Sequence, residues 1–232
     1  MRKIGCDVVF CLNDDLNCNA VTHYDTVPPT VEYKRTAWET VDILHELLHV
    51  HQFYLDGFGM LAWPTSHPPP SAIQRVVKYL CDILDNTVVH RRLWKEYSFL
   101  PIHNIFFNEC RKDLERGTIG VVQNDAAPAR ILAIAERLWM AEMCIGEFDV
   151  ALSGTDRKTC EDFLSFFTVK EPDARKIVDF VRELDRTTNL ADPCDHSKSQ
   201  VQLLKKLGLD QGGLYVAKYN AKEKDFLRVE DW

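Results

Sequence analysis

The 232-residue chain predicts an α+β fold: a small sheet packed on one motif-bearing helix and on a second helix, followed by a mainly helical portion. Three features lead there. Before residue 35, β-branched and aromatic residues come in short runs broken by Asn, Asp and Pro, as in strands and turns. From Thr36 to Asp56 there is neither Pro nor Gly, and Val41, Leu44, Leu48 and Phe53 recur near the helical period. From Ser71 to Leu207 that period persists through a series of segments. With 46% hydrophobic and 27% charged residues the composition is that of an ordinary globular protein. One domain over 1–232 is expected, with a core in 1–100 and a helical extension, 101–232, packed on it.

Taken in order, Ile4 to Leu12 is a strand rich in Val and Phe, and Asn13 to Asn17 is a turn. A second short strand, Thr30 to Lys34, is entered through Pro28-Pro29. Thr36-Ala37-Trp38-Glu39 fits a capping box, which opens a helix from about Ala37 to Leu55. Asp56-Gly57 stops it, Gly57 suiting the left-handed position after a helix. Trp63 to Pro70 is a rigid, Pro-rich loop, read as a spacer or a cleft rim. Ser71-Ala72-Ile73-Gln74 is a second capping box. The helix it opens, Ala72 to Lys95, has Ile73, Val76, Val77, Leu80, Leu84, Val88 and Leu93 as its apolar set. Helices follow near 105–116, 128–145, 156–167, 173–186 and 198–207. Gly117, Gly146 and Gly208 lie where C-caps belong, and Pro128 and Pro172 fit first turns. Leu214 to Tyr219 and Phe226 to Val229 form a hairpin.

The first helix carries His45-Glu46-Leu47-Leu48-His49, an H-E-x-x-H motif. Positions four apart lie one above the other on a helix, so two imidazoles so placed can grip one metal ion. Glu46 sits about a hundred degrees round the helix from His45. There its carboxylate can reach a water on the ion without being a ligand. Zinc brings such a water's pKa towards neutrality, and the carboxylate then takes its proton.

The stretch resembles the zincin superfamily of metallopeptidases, and its compact gluzincin branch more than the metzincins. A metzincin would continue H-E-x-x-H-x-x-G-x-x-H, whereas here the chain continues Val50-His51-Gln52-Phe53-Tyr54-Leu55. Upstream, Asn19-Ala20 and Pro29 to Tyr33 resemble the segment before the active helix in several gluzincins. The resemblance covers about Asn19 to His90. It implies a zincin-like catalytic core, a bound Zn2+, and hydrolysis of peptide bonds with Glu46 as general base and then general acid to the leaving amine. It implies a strand edge beside the metal helix on which substrate lies extended, for which Thr30 to Lys34 is the candidate by position, a plain hairpin arm being the alternative. It also implies a third, acidic metal ligand on the next helix. Asp82 and Asp85 are the candidates, with Asn86 on the same face by helical spacing and suited to orient a ligand histidine. His90 and Glu136 are further candidates. This chain offers Asp where the gluzincins have Glu. For an oxyanion-stabilising side chain, Tyr54, His51 and His67 are near in sequence, each equally readable as a surface or packing residue.

A net charge of -7 argues against a nucleic-acid partner, which needs a basic footprint. No apolar run reaches the length of a membrane span, and the basic start at Met1-Arg2-Lys3 leads into no signal peptide. The eight cysteines contain no C-x-x-C pair and are expected as reduced thiols in a cytoplasmic protein. The expected partner is therefore a peptide or protein substrate. Two rivals stand beside this reading: a zincin-fold regulator acting on one dedicated partner, and a helical interaction protein with a chance motif.

Overall fold

The computed structural model describes residues 7–16, 18–23, 26, 28–35, 39–62, 71–98, 104–120, 127–209 and 213–229. Among them are three strands before the first helix, β1 (Val9–Leu12), β2 (Ala20–His23) and β3 (Thr30–Tyr33). They form one sheet in the order β1-β3-β2. β1 runs parallel to β3 with Val9 opposite Thr30, and β2 runs antiparallel to it with Ala20 opposite Tyr33. The second predicted strand is thus central, and the edge beside the first helix is β2. Thr22 and Val31 lie opposite each other in the β2–β3 register, and both are buried on the face turned to that helix.

Helix α1 (Thr40–Tyr54) starts later than the capping pattern predicts. Its N-cap is Glu39, whose N–H donates to Asp42 Oδ2 at 2.7 Å. Asp42 also accepts from Asn19 Nδ2 at 3.2 Å, which ties the approach to β2 to the first helical turn. Thr36 to Trp38 lie outside the described residues, as does Trp63 to Pro70. Gly57 ends the run with φ at +77°, the left-handed conformation expected there.

The remaining elements are β4 (Gly59–Ala62), α2 (Ser71–Tyr97), α3 (Asn104–Arg116), α4 (Ala127–Gly146), α5 (Gly154–Lys170), α6 (Pro172–Thr187), α7 (Pro193–Lys206), β5 (Tyr215–Asn220) and β6 (Asp225–Val229). The fold is α+β and mostly helical. α7 begins five residues before the predicted start, because Asp192 caps it by accepting from the N–H groups of Cys194 and Asp195 and Pro193 fits the first turn. The C-terminal hairpin gains a third strand: β4 pairs antiparallel with β5, so that the second sheet is β4-β5-β6. Gly-Met-Leu-Ala shows no alternation from which a strand could be read.

α4 packs against α2, α5 and α6, and α2 also packs against α1 and α7. One buried apolar cluster runs from Val31 and Phe53 through Leu80 and Leu84 to Leu138 and Phe163, so residues on both sides of position 100 share it. Arg91 locks this arrangement. Its guanidinium donates to Asp185 on α6 at 2.6 and 2.7 Å and to Glu147 just after α4 at 2.8 Å. Among the described residues no helix is long and apolar enough to cross a membrane.

The β4–β5 contact leaves no room for a side chain at Gly59, where a Cβ would run into Val216 Cγ1 and crowd Ser197 Oγ. Gly59→Ala is expected to lower stability by about 1–3 kcal/mol, as overpacking does, read from the midpoint of urea unfolding.

Candidate functional site

Three helices and one strand meet around the motif. On α1, His45 and His49 point the same way: their Nε2 atoms are 3.0 Å apart, with the rings edge to face at 4.7 Å between centroids. α2 brings His90, whose ring centroid lies 5.1 Å from that of His45. It also brings Asn86, whose Oδ1 is 3.0 Å from His49 Nε2. α4 supplies Glu136, whose Oε1 accepts from Asn86 Nδ2 at 3.2 Å. A cavity of about 360 Å³ opens beside Asn86, His90 and Glu136, with Tyr79, Phe106 and Met140 as apolar walls. It is of the size in which small ligands and side chains bind.

Glu46 is held from the sheet. Thr22 on β2 donates its hydroxyl hydrogen to Glu46 Oε2 at 2.6 Å. The same oxygen stands 3.4 Å from the Glu46 carbonyl, but its single hydrogen goes to the much closer carboxylate. Four residues such as Ala20 to His23 carry no strand signal of their own, so nothing local marks Thr22; its pairing beside β3 is what aims the hydroxyl at α1.

His49 is buried, and loss of solvent pushes its pKa down to about 4, with the neighbouring His45 adding to the effect and Glu46, Asp85 and Asn86 opposing it. At neutral pH it is therefore an uncharged imidazole, the form that binds a metal.

The two aspartates expected on α2 sit differently. Asp85 faces α7: its Oδ1 accepts from Gln200 Nε2 at 3.3 Å and lies 3.0 Å from His196 Nε2. The His196 contact is close without the alignment of a good hydrogen bond. Asp82 is half-buried. Burial, with Asp85 and Asp82 nearby, pushes the Cys81 thiol well up. Among the described residues no three His, Cys, Asp or Glu side chains are grouped so as to hold a metal ion. Of the side chains considered for an oxyanion, His51 is paired with Asp56 at 2.9 Å. Tyr54 is buried against Tyr219 and Phe226. His67 lies outside the described residues.

His45 and His49 fit a metal ion. Zinc–nitrogen bonds of ~2.0–2.1 Å in tetrahedral geometry put two ligating nitrogens roughly 3.3–3.4 Å apart, and this pair, at 3.0 Å, needs to spread only slightly to take the ion. No family model, curated protein or solved structure matches the chain.

The depressed pKa of His49 carries a stability cost in acid. Unfolded, this histidine takes a proton near its ordinary value of 6.5; folded, it refuses one until about pH 4. Its contribution is complete above pH 6.5 and is lost as pH falls through the window down to 4. The loss is on the order of 3 kcal/mol by pH 4. Urea unfolding of the metal-free protein should show it, and His49→Gln should flatten that part of the pH dependence.

Proposed function

We propose that this protein is a zinc-dependent hydrolase of peptide bonds, with a zincin-like arrangement of sheet edge, motif helix and second helix. The observation that carries this is the convergence of the His45 and His49 Nε2 atoms at 3.0 Å on the helix that also presents Glu46. His45 and His49 would hold the ion. When bound, it supplies Lewis acidity and eases deprotonation of water.

The chain's own residues account for the remaining steps. Glu46 accepts a proton from the attacking water and later passes it to the leaving amine. Thr22 keeps the Glu46 carboxylate turned to one side, since its hydroxyl donates to Oε2 and leaves the other oxygen for the proton transfer. β2 is an edge strand and touches α1 beside Glu46, so an extended peptide can add there by backbone pairing. The cavity walled by Tyr79, Phe106 and Met140 would take a substrate side chain. The cysteines support a reducing, cytoplasmic setting: there is no C-x-x-C pair, and Cys110, Cys144 and Cys160 serve as core packing.

The test separates catalysis from metal binding. Glu46→Gln keeps shape and hydrogen bonding but cannot accept the proton. Zinc content, measured by mass spectrometry of the metal, should stay near one per chain. Hydrolysis of a library of peptides and unfolded proteins should fall by about 10²–10⁴-fold. A variant that retains zinc and cleaves as fast as the parent would sink the mechanism.

A further inference from the structure

We propose that Asn86 is the third protein ligand of the metal, through its side-chain oxygen, and that Glu136 sets which end of the amide faces the ion. The inference rests on the zinc site proposed above. His49 Nε2 has two close neighbours, His45 Nε2 and Asn86 Oδ1, each at 3.0 Å. A neutral imidazole nitrogen carries either one hydrogen or one lone pair. If His49 Nε2 carries the hydrogen, it can be directed to only one of the two acceptors. If it carries the lone pair, His45 can donate to it, but the amide oxygen then faces a lone pair. A single hydrogen could serve both contacts only as a shared, three-centre bond, whereas one cation coordinated by these side chains satisfies both.

Turning the amide over would not relieve this. Its NH2 group would then meet His49, but its oxygen would meet Glu136 Oε1, now 3.2 Å from Asn86 Nδ2, and an ionised carboxylate only accepts. The hydrogen-bond network thus decides the orientation: nitrogen to Glu136, oxygen to His49. The hydrogen bond to a carboxylate also draws electron density towards the amide oxygen and makes it a better donor, the part played by groups behind ligands in metal sites. Glu136 is accordingly a positioning residue. Side-chain amide oxygens do ligate divalent ions, and an Asn would be passed over in a search for acidic ligands.

The test measures metal binding on the full-length protein, by chelator competition with zinc and by the visible absorption of the cobalt(II) form. Asn86→Leu should weaken zinc binding by about a hundred-fold or more, beyond the effect of a group that merely supports a ligand, and should change the cobalt spectrum. In the exchange variant Asn86→Asp/Glu136→Gln, a carboxylate faces the ion and an amide backs it. Zinc should then bind about ten-fold tighter or better, because ligand charge raises affinity. If His45→Ala and His49→Ala lose zinc while Asn86→Leu binds it like the parent, Asn86 is no ligand and the histidine site stands. Should Asn86→Leu fail to fold, the exchange variant decides: unchanged or weaker binding overturns the proposal. Full zinc retention in His45→Ala and His49→Ala would remove the metal site and this inference with it.

Discussion

Two imidazole nitrogens 3.0 Å apart on a half-buried helix are a constraint that the neighbouring elements have to meet. Burial takes away the water that would otherwise solvate His49 and holds it uncharged near neutral pH. Around it several polar side chains are held by named partners. Asn86 turns its oxygen inward because Glu136 takes its nitrogen. Thr22 holds Glu46 from the sheet, and Asp42 holds the start of the helix to Asn19. Placement of these groups comes from α2, α4 and β2, and hence from the apolar cluster that packs those elements together.

The proposed ligand set has an electrostatic corollary. Two neutral imidazoles and a neutral amide leave the ion's charge undiminished, with the carboxylate one bond further out at Glu136. A site of this kind binds zinc less tightly than one with an acidic ligand, yet polarises what it binds more strongly.

Much of the fold could be read from residue patterns, and the limits are instructive. α2, expected from Ala72 to Lys95, runs from Ser71 to Tyr97, because its long apolar repeat is broken by neither Pro nor Gly. β2 and β4 are not legible in their own residues: Ala-Val-Thr-His and Gly-Met-Leu-Ala become strands only through partners elsewhere in the chain. The motif histidines and Glu46 were legible because helical spacing alone brings them together. Spacing also put Asp82, Asp85 and Asn86 on one face of α2, but it could not reveal that His196 and Gln200, on a helix more than a hundred residues away, would meet Asp85. Which polar residue of α2 faces α1 is settled by the rotation of α2 against its neighbours, and that is a tertiary property.

The pairing of β4 with β5 has a kinetic side. Gly59 opposes Lys218, so the strand that leaves the motif helix must wait for a segment on the far side of six other helices. Contacts this distant in sequence form late, since the entropy of closing the loop comes first. During synthesis, α1 and the N-terminal sheet would emerge long before the strand that covers the far end of α1. The buried ring of Tyr54, which ends up against Tyr219 and Phe226, would stay open to solvent or to a chaperone until then. Maturation of the motif helix is in this way tied to arrival of the β5–β6 hairpin.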